Sequence, residues 1–273
     1  LSTGIQAPPP RIRGPLRGIY AGNTRAVLAR GLKVVARNNY LVVLSGFFEP
    51  VFYLLSMGLG LGALIGTVQF NGHDIAYAAY IAPALMAVSA MNGALYDSTT
   101  NVFFRMRYGK IYDQMLSTSL GPLDVALGEI LLALFRGLLY AGGFMAVTTL
   151  LGLNLSWTAL LAVPAALLIA FGFASVGLAA TSYMKSFQHL DVVFFVMLPM
   201  FLLSATFFPI EVYPEVVQWV IKALPLWHAV DLIRQLTTGF VTPGLFGHVT
   251  YFAVMILLGV TLATRRLRAL FLR

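Results

Sequence analysis

Residues 105–122 read RMRYGKIYDQMLSTSLGP, the longest polar interval between two strongly hydrophobic stretches of this chain. The interval holds Arg105, Arg107 and Lys110, the tyrosines Tyr108 and Tyr112, and Asp113, and it closes on Gly121-Pro122. Gly109 is placed to interrupt the preceding helix, 110–116 has room for about two helical turns, and Gly-Pro reverses the chain. Sequence on either side is almost uncharged. The interval therefore reads as a cytoplasmic elbow between two membrane-spanning helices, and its short helix as a place where a partner can push on the membrane domain.

Composition supports that reading. Of 273 residues 59% are hydrophobic and only 10% charged, against about 25% charged in soluble domains. The predicted fold class is an all-α integral membrane protein with six transmembrane helices, preceded by an amphipathic interfacial helix, with a re-entrant helical hairpin before the last span. The net charge of +8 sits at the ends of apolar stretches, which points to anionic lipid headgroups and not to nucleic acid. With no cysteine there is no disulfide framework.

Residues 1–22 read as a loosely attached polar arm without the apolar run of a secretory leader. Residues 23–39 mix Val27, Leu28, Leu32, Val34 and Val35 with Arg25, Arg30, Lys33 and Arg37, the pattern of a basic helix lying on headgroups. Residues 40–273 form the membrane domain, with spans predicted at 40–66, 75–100, 123–151, 157–184, 192–207 and 247–264. Gly58, Gly62 and Gly66 recur every four residues in the first span, as do Ala133, Gly137 and Ala141 in the third and Ala162, Ala166, Ala170 and Ala174 in the fourth, smooth faces suited to tight helix packing. Residues 69–74 read as a short polar turn, and Pro83 kinks the second span. Residues 209–240 are too polar for a span and too apolar for a free loop; Pro214 and Pro225 can each open an amphipathic helix, and Gly239 can end the second. Two short helices re-entering the outer leaflet fit this stretch.

No Walker-type GxxxxGK[ST] is present, the four histidines lack metal-ligand spacing, and no acidic pair marks a prenyltransferase. Ionisable residues inside spans are the sharper signals. Glu49 precedes Pro50 in the first span, Asp97 lies near the inner end of the second, and Glu129 and Arg136 are seven residues apart on one face of the third. They can form a polar wall of a translocation path or interhelical pairs. Phe47, Phe48, Phe52, Tyr53, Phe194 and Phe195 can line an amphipathic route or simply pack. A lipid-linked membrane transferase, the alternative function, would need an acid/base cluster that the sequence lacks.

Three stretches carry a resemblance: FFEPVFYLLSMGLGLG at 47–62, the run YIAPALMAVSAMNGALYDSTTNVFFRMRYGKIYDQMLSTSLGPLDVALGEIL at 80–131, and FLLSATFFPIEVYPEVVQWVIKALPLWHAVDLIRQLTTG at 201–239. They resemble the membrane subunits of ABC-2 type exporters, in the subgroup of nodulation-factor exporters and daunorubicin-resistance permeases. The resemblance runs from about residue 23 onward; SLG at 119–121 departs from the threonine-proline turn frequent there. It implies a permease for an amphipathic substrate (glycolipid, lipo-oligosaccharide, polysaccharide or hydrophobic drug), not an enzyme, paired with a second copy or a similar permease. It also implies two separate ATPase subunits, which would hold ATP and Mg, no cofactor being bound directly. The elbow then becomes a coupling helix, with Arg105, Arg107, Tyr108, Lys110, Tyr112, Asp113, Met115 and Leu116 at the ATPase and with Tyr112, Met115 and Leu116 sharing the docked face. Glu49, Phe52, Arg136, Phe194 and Phe195 are the candidate path.

Fifteen of the eighteen Lys and Arg residues fall in segments assigned to one side. The positive-inside rule makes that side, with both termini, cytoplasmic in a bacterial inner membrane. Single cysteines at Gly72 and Lys222 are accordingly expected to react with an impermeant thiol reagent in intact cells, and one at Lys110 is not; the reverse pattern inverts the topology.

Overall fold

The computed structural model describes residues 19–37, 48 and 50–271. The earlier arm, the predicted start of the first span, Phe47 and Glu49 lie outside them. Helix α1 (Thr24–Arg37) lies along α5 (Pro122–Leu150). Two glycines allow the approach: a Cβ on Gly128 would come within 2.5 Å of the Val27 side chain, and one on Gly31 within 2.7 Å of Leu132. Arg25, Lys33 and Val34 of α1 are exposed.

Helix α2 (Pro50–Ile65) contains a π-helical segment at Leu54–Leu61. It does not lead into a plain turn, as the sequence suggests, but into a two-stranded hairpin, β1 (Thr67–Phe70) and β2 (His73–Ala76), with Thr67 opposite Ala76. Asn71 and Gly72 both have positive φ, 48° and 79°, as a two-residue hairpin loop of matching twist requires. Helix α3 (Tyr77–Arg107) overruns its predicted end at residue 100 through a second π segment, Asp97–Asn101. After the short α4 (Ile111–Leu116) come α5, α6 (Trp157–Tyr183), α7 (His189–Leu203), α8 (Glu215–Ala223), α9 (Pro225–Thr238) and α10 (Gly244–Phe271).

The core is α3. Almost every residue from Tyr77 to Leu95 is buried, because α5, α6 and α9 pack around it while α10 covers α6. Such a helix is apolar all round, which explains why no face could be read from its periodicity. Among the described residues four helices, α3, α5, α6 and α10, are long and apolar enough to cross a membrane, or five if the pair α8–α9, bent by 86°, counts as one. The six predicted spans thus include two shorter helices, α2 and α7, of which α7 has 15 residues and reaches about 22 Å.

Pro214 and Pro225 precede or open α8 and α9, and Gly239 ends α9 at a φ of 83°. Arg234 of α9 is buried, its guanidinium 3.8 Å from the Tyr80 ring centre. It donates to the carbonyls of Tyr80 (3.1 Å) and Ala205 (2.9 Å). The first lies within α3, the second where the chain leaves α7 with a positive φ at Ala205. One buried cation thereby ties α9 to α3 and to the end of α7, and the Tyr80 hydroxyl donates to the same Ala205 carbonyl (3.3 Å).

The connections sort onto two ends. At one, Asn71 donates to Phe240 O, His73 stacks on the Phe240 ring, and the amides of Leu155 and Ser156 meet Thr237 O. At the other lie the 105–122 elbow, the start of α1 and the end of α10, whose Phe271 ring touches Tyr112.

The tight glycine contacts differ from the row predicted in the first span. A Cβ on Gly62 would find its nearest neighbour, Tyr77, at 4.0 Å; Gly58 meets Ala78 in near-ordinary contact, and Gly66 is a helix end with a φ of 75°. The rows of the third and fourth spans do meet: Gly137 faces the Ala170 Cβ, 2.8 Å from where its own would stand. Gly137→Leu is expected to cost about 1–3 kcal/mol by overpacking and to lower the melting midpoint of the purified chain, whereas Gly62→Leu leaves it nearly unchanged.

Candidate functional site

The elbow is fastened from beneath. Asp124, in the first turn of α5, is fully buried. Its carboxylate accepts from the amides of Ala21 (2.7 Å), Asn23 (2.9 Å) and Gly121 (2.9 Å) and from the Thr24 hydroxyl (3.2 Å). An acid at a helix N-terminus is favoured by the dipole; here it also joins the start of α1 to the end of the elbow.

Just above, Glu129 of α5 is 2% exposed. Arg105 at the end of α3 pairs with it at 2.9 Å and Arg30 of α1 at 3.6 Å. Tyr112 of α4 lies against the same carboxylate, and burial, with that charge beside it, pushes the Tyr112 phenol well above its ordinary range. Four elements therefore converge on one acid. A second pair, Arg136 Nε to Asp97 Oδ2 at 3.4 Å, links the same two helices farther in, and Asn101 donates to the other Asp97 oxygen.

The two pairs explain the π segment between them. Arg136 and Glu129 are seven residues apart on α5, which returns to the same helix face; Asp97 and Arg105 are eight apart on α3, which in a regular helix would miss the face by about 80°. The wider turn at Asp97–Asn101 takes up the extra residue, so both carboxylate–guanidinium pairs form between α3 and α5.

Of the elbow residues, Tyr108, Lys110 and Asp113 are exposed. Tyr112, Met115 and Leu116 share one face as their spacing requires, but that face is turned into the chain's own core; Tyr112 is 0% exposed. The docked face predicted from sequence is thus the inner face, because the carboxylate at 129 and the α10 end offer α4 a site that the sequence alone does not reveal. Arg105 is committed to Glu129, and Arg107 donates to Met184 O at 2.6 Å.

Arg136 also borders a cavity of about 360 Å³ between α2, α3, α5 and α7, with Tyr53, Asn92, Tyr96, Tyr140 and Phe194. The structure therefore brings Arg136 and Phe194 together. Phe52 and Phe195 stand apart from the cavity, strongly exposed, Phe52 stacked on Phe48; Glu49 is outside the described residues. Sequence reasoning missed Arg30, Asn92, Tyr96 and Tyr140, and only the seven-residue spacing of Glu129 and Arg136 pointed toward them.

A multi-pass helical membrane protein with an exposed elbow helix clamped to its core is thus in view. Residues 22–238 match the ABC-2 type transporter family, and the chain belongs to that family. Within it the chain is similar to nodulation protein J of Rhizobium leguminosarum bv. trifolii, 32% identical over 251 residues that cover 88% of this chain and 93% of that one. The counterpart from bv. viciae is 31% identical over 259 residues (90% and 97%), and that of Bradyrhizobium diazoefficiens 32% over 212 residues (73% and 78%).

Removing one member of a buried ion cluster leaves its partners uncompensated, at a cost of about 3–5 kcal/mol. Glu129→Gln is therefore expected to lower the melting midpoint sharply, and Glu129→Leu combined with Arg30→Met and Arg105→Met to recover most of the loss. A single variant as stable as the parent would show that the cluster carries no strain-sensitive charge.

Proposed function

We propose that the chain is the membrane-spanning permease subunit of an ATP-binding-cassette exporter. It moves an amphipathic substrate of the glycolipid, lipo-oligosaccharide, polysaccharide or hydrophobic-drug class out of the cytoplasm or inner leaflet. In this reading the chain has six spans, with α2 and α7 as the first and fifth, and both termini on one side of a bacterial inner membrane; the gathering of Lys and Arg on that side supports the cytoplasm. Two ATPase subunits holding ATP and Mg supply the energy, and a second copy or a similar permease completes the path. The observation that carries this reading is the elbow: α4 presents Lys110 and Asp113 outward, beside Tyr108, while its underside is locked to α1, α3 and α5 through Glu129. A push on such a helix moves the spans as rigid bodies instead of deforming a loop.

The cavity beside Arg136 is the inner part of the proposed path. Its apolar walls suit a hydrocarbon portion, and Asn92, Arg136 and the tyrosines offer hydrogen bonds to a polar head. A few anchors dominate a small interface, with tyrosine prominent among them, so Tyr108 rather than Tyr112 is the anchor toward the ATPase.

Tyr108→Ala combined with Asp113→Arg is expected to leave the permease inserted and as heat-stable as the parent while cutting ATPase co-purification, or the coupling of hydrolysis to export, about tenfold or more. Tyr112→Ala is expected to destabilise the permease itself. Full complex formation and full transport by the double variant would overturn the coupling role.

A further inference from the structure

Behind α7, on the side away from Arg136, lies a second cavity of about 430 Å³. Its walls are faces of two helices that do not close on each other. Val176, Ala180 and Tyr183 recur at helical spacing along α6 and are exposed toward it, as are Val192 and Val196 of α7. The lining is apolar along nearly its whole length, from Met255 and Pro225 at one end to Tyr183, Met184 and His189 at the other. An open apolar slot at bilayer depth is filled by hydrocarbon.

The mouth at the Tyr183 end is cationic. Lys185 and His189 are exposed in the link from α6 to α7. Arg266 of α10 rests its guanidinium 4.6 Å from the Tyr183 ring centre, and its Nε is buried with no hydrogen-bond partner. Arg265 and Arg268 are exposed in the neighbouring turns, and Arg107 holds the carbonyl of Met184. Against these cations the first turn of α7 sets Asp191. A buried guanidinium nitrogen without an acceptor, held against the Tyr183 ring at the head of an apolar slot with exposed Lys185 two residues on, matches a phosphate on an acyl-chain lipid.

We propose that this slot binds one acyl chain of an anionic phospholipid, drawn from the leaflet at the basic end of the protein, with its phosphate beside Lys185 and Arg266. Under the orientation proposed above that leaflet is the cytoplasmic one. The lipid is a resident wedge behind α7 and not the transported cargo, whose proposed cavity lies on the opposite side of the same helix. Met197 borders both cavities, so filling one fixes how far α7 can retreat from the other.

The test uses the full chain reconstituted in nanodiscs of equal phosphatidylglycerol and phosphatidylcholine, extracted into detergent and weighed by native mass spectrometry. The expected result is one retained phosphatidylglycerol per chain, preferred over phosphatidylcholine on the order of tenfold. Lys185→Gln with Arg266→Gln is expected to abolish the preference, and Ala180→Phe, which fills the slot, to abolish retention of both lipids, each variant melting near the parent. Equal retention of the two lipids by the parent, or undiminished retention by Ala180→Phe, would overturn the proposal. So would an amphiphile carried over from the cells in place of phospholipid. The assay contains no ATPase, so a negative result leaves the permease reading standing, and a failure of coupling leaves this site untouched.

Discussion

A carboxylate sealed away from water must be neutralised where it stands, and Glu129 is so placed that neutralising it draws on two other elements while a third packs against it. Arg30 arrives on α1, Arg105 on the end of α3, and Tyr112 on the elbow helix. Neither arginine can leave without uncovering a buried charge in apolar surroundings, at a cost of several kcal/mol. The cluster thus makes α1, the end of α3 and the elbow helix into one body. Asp124, one turn below, repeats the logic with backbone donors and binds the entry of α1 to the exit of the elbow.

Packing above this level is governed by closeness and not by charge. In hydrocarbon no hydrophobic drive brings helices together, so small residues that let backbones approach take that part. Gly137 against Ala170 and Gly172 against the Phe252 ring are such contacts, and they leave α3 surrounded. Helix α7 is the contrast: of its fifteen residues only Leu190 and Met200 are buried, and cavities lie on two of its sides.

Much of this was legible in the sequence, for identifiable reasons. The elbow stood out because three cations and two tyrosines interrupt long uncharged stretches, and the helices after Pro214 and Pro225 because proline fixes a helical first turn. Glu129 and Arg136 were marked by spacing, though not as pairs with Arg105 and Asp97, since pairing depends on the π segment, which has no sequence signature as regular as a heptad. The direction in which Tyr112 and Leu116 point was misread because an amphipathic helix announces that one face is buried without saying against what. Of the Gly58–Gly66 row only Gly58 meets close neighbours within the chain, because small residues permit close approach but do not supply the neighbour, and at Gly66 the chain turns into a hairpin.

The length of α3 gives the clamp a mechanical meaning. Its 31 residues make a rod of about 46 Å, held at its lower end by the elbow cluster and at its upper end by the backbone contacts of Arg234. A rod of that length converts a tilt of about 5° into a displacement of about 4 Å at the far end. Stiffness then matters more than stability, and the π turn at Asp97–Asn101 is where the rod is least regular. The Arg136–Asp97 pair splints it at that point, so an arginine at the edge of a cavity also sets how faithfully the lever transmits an angle.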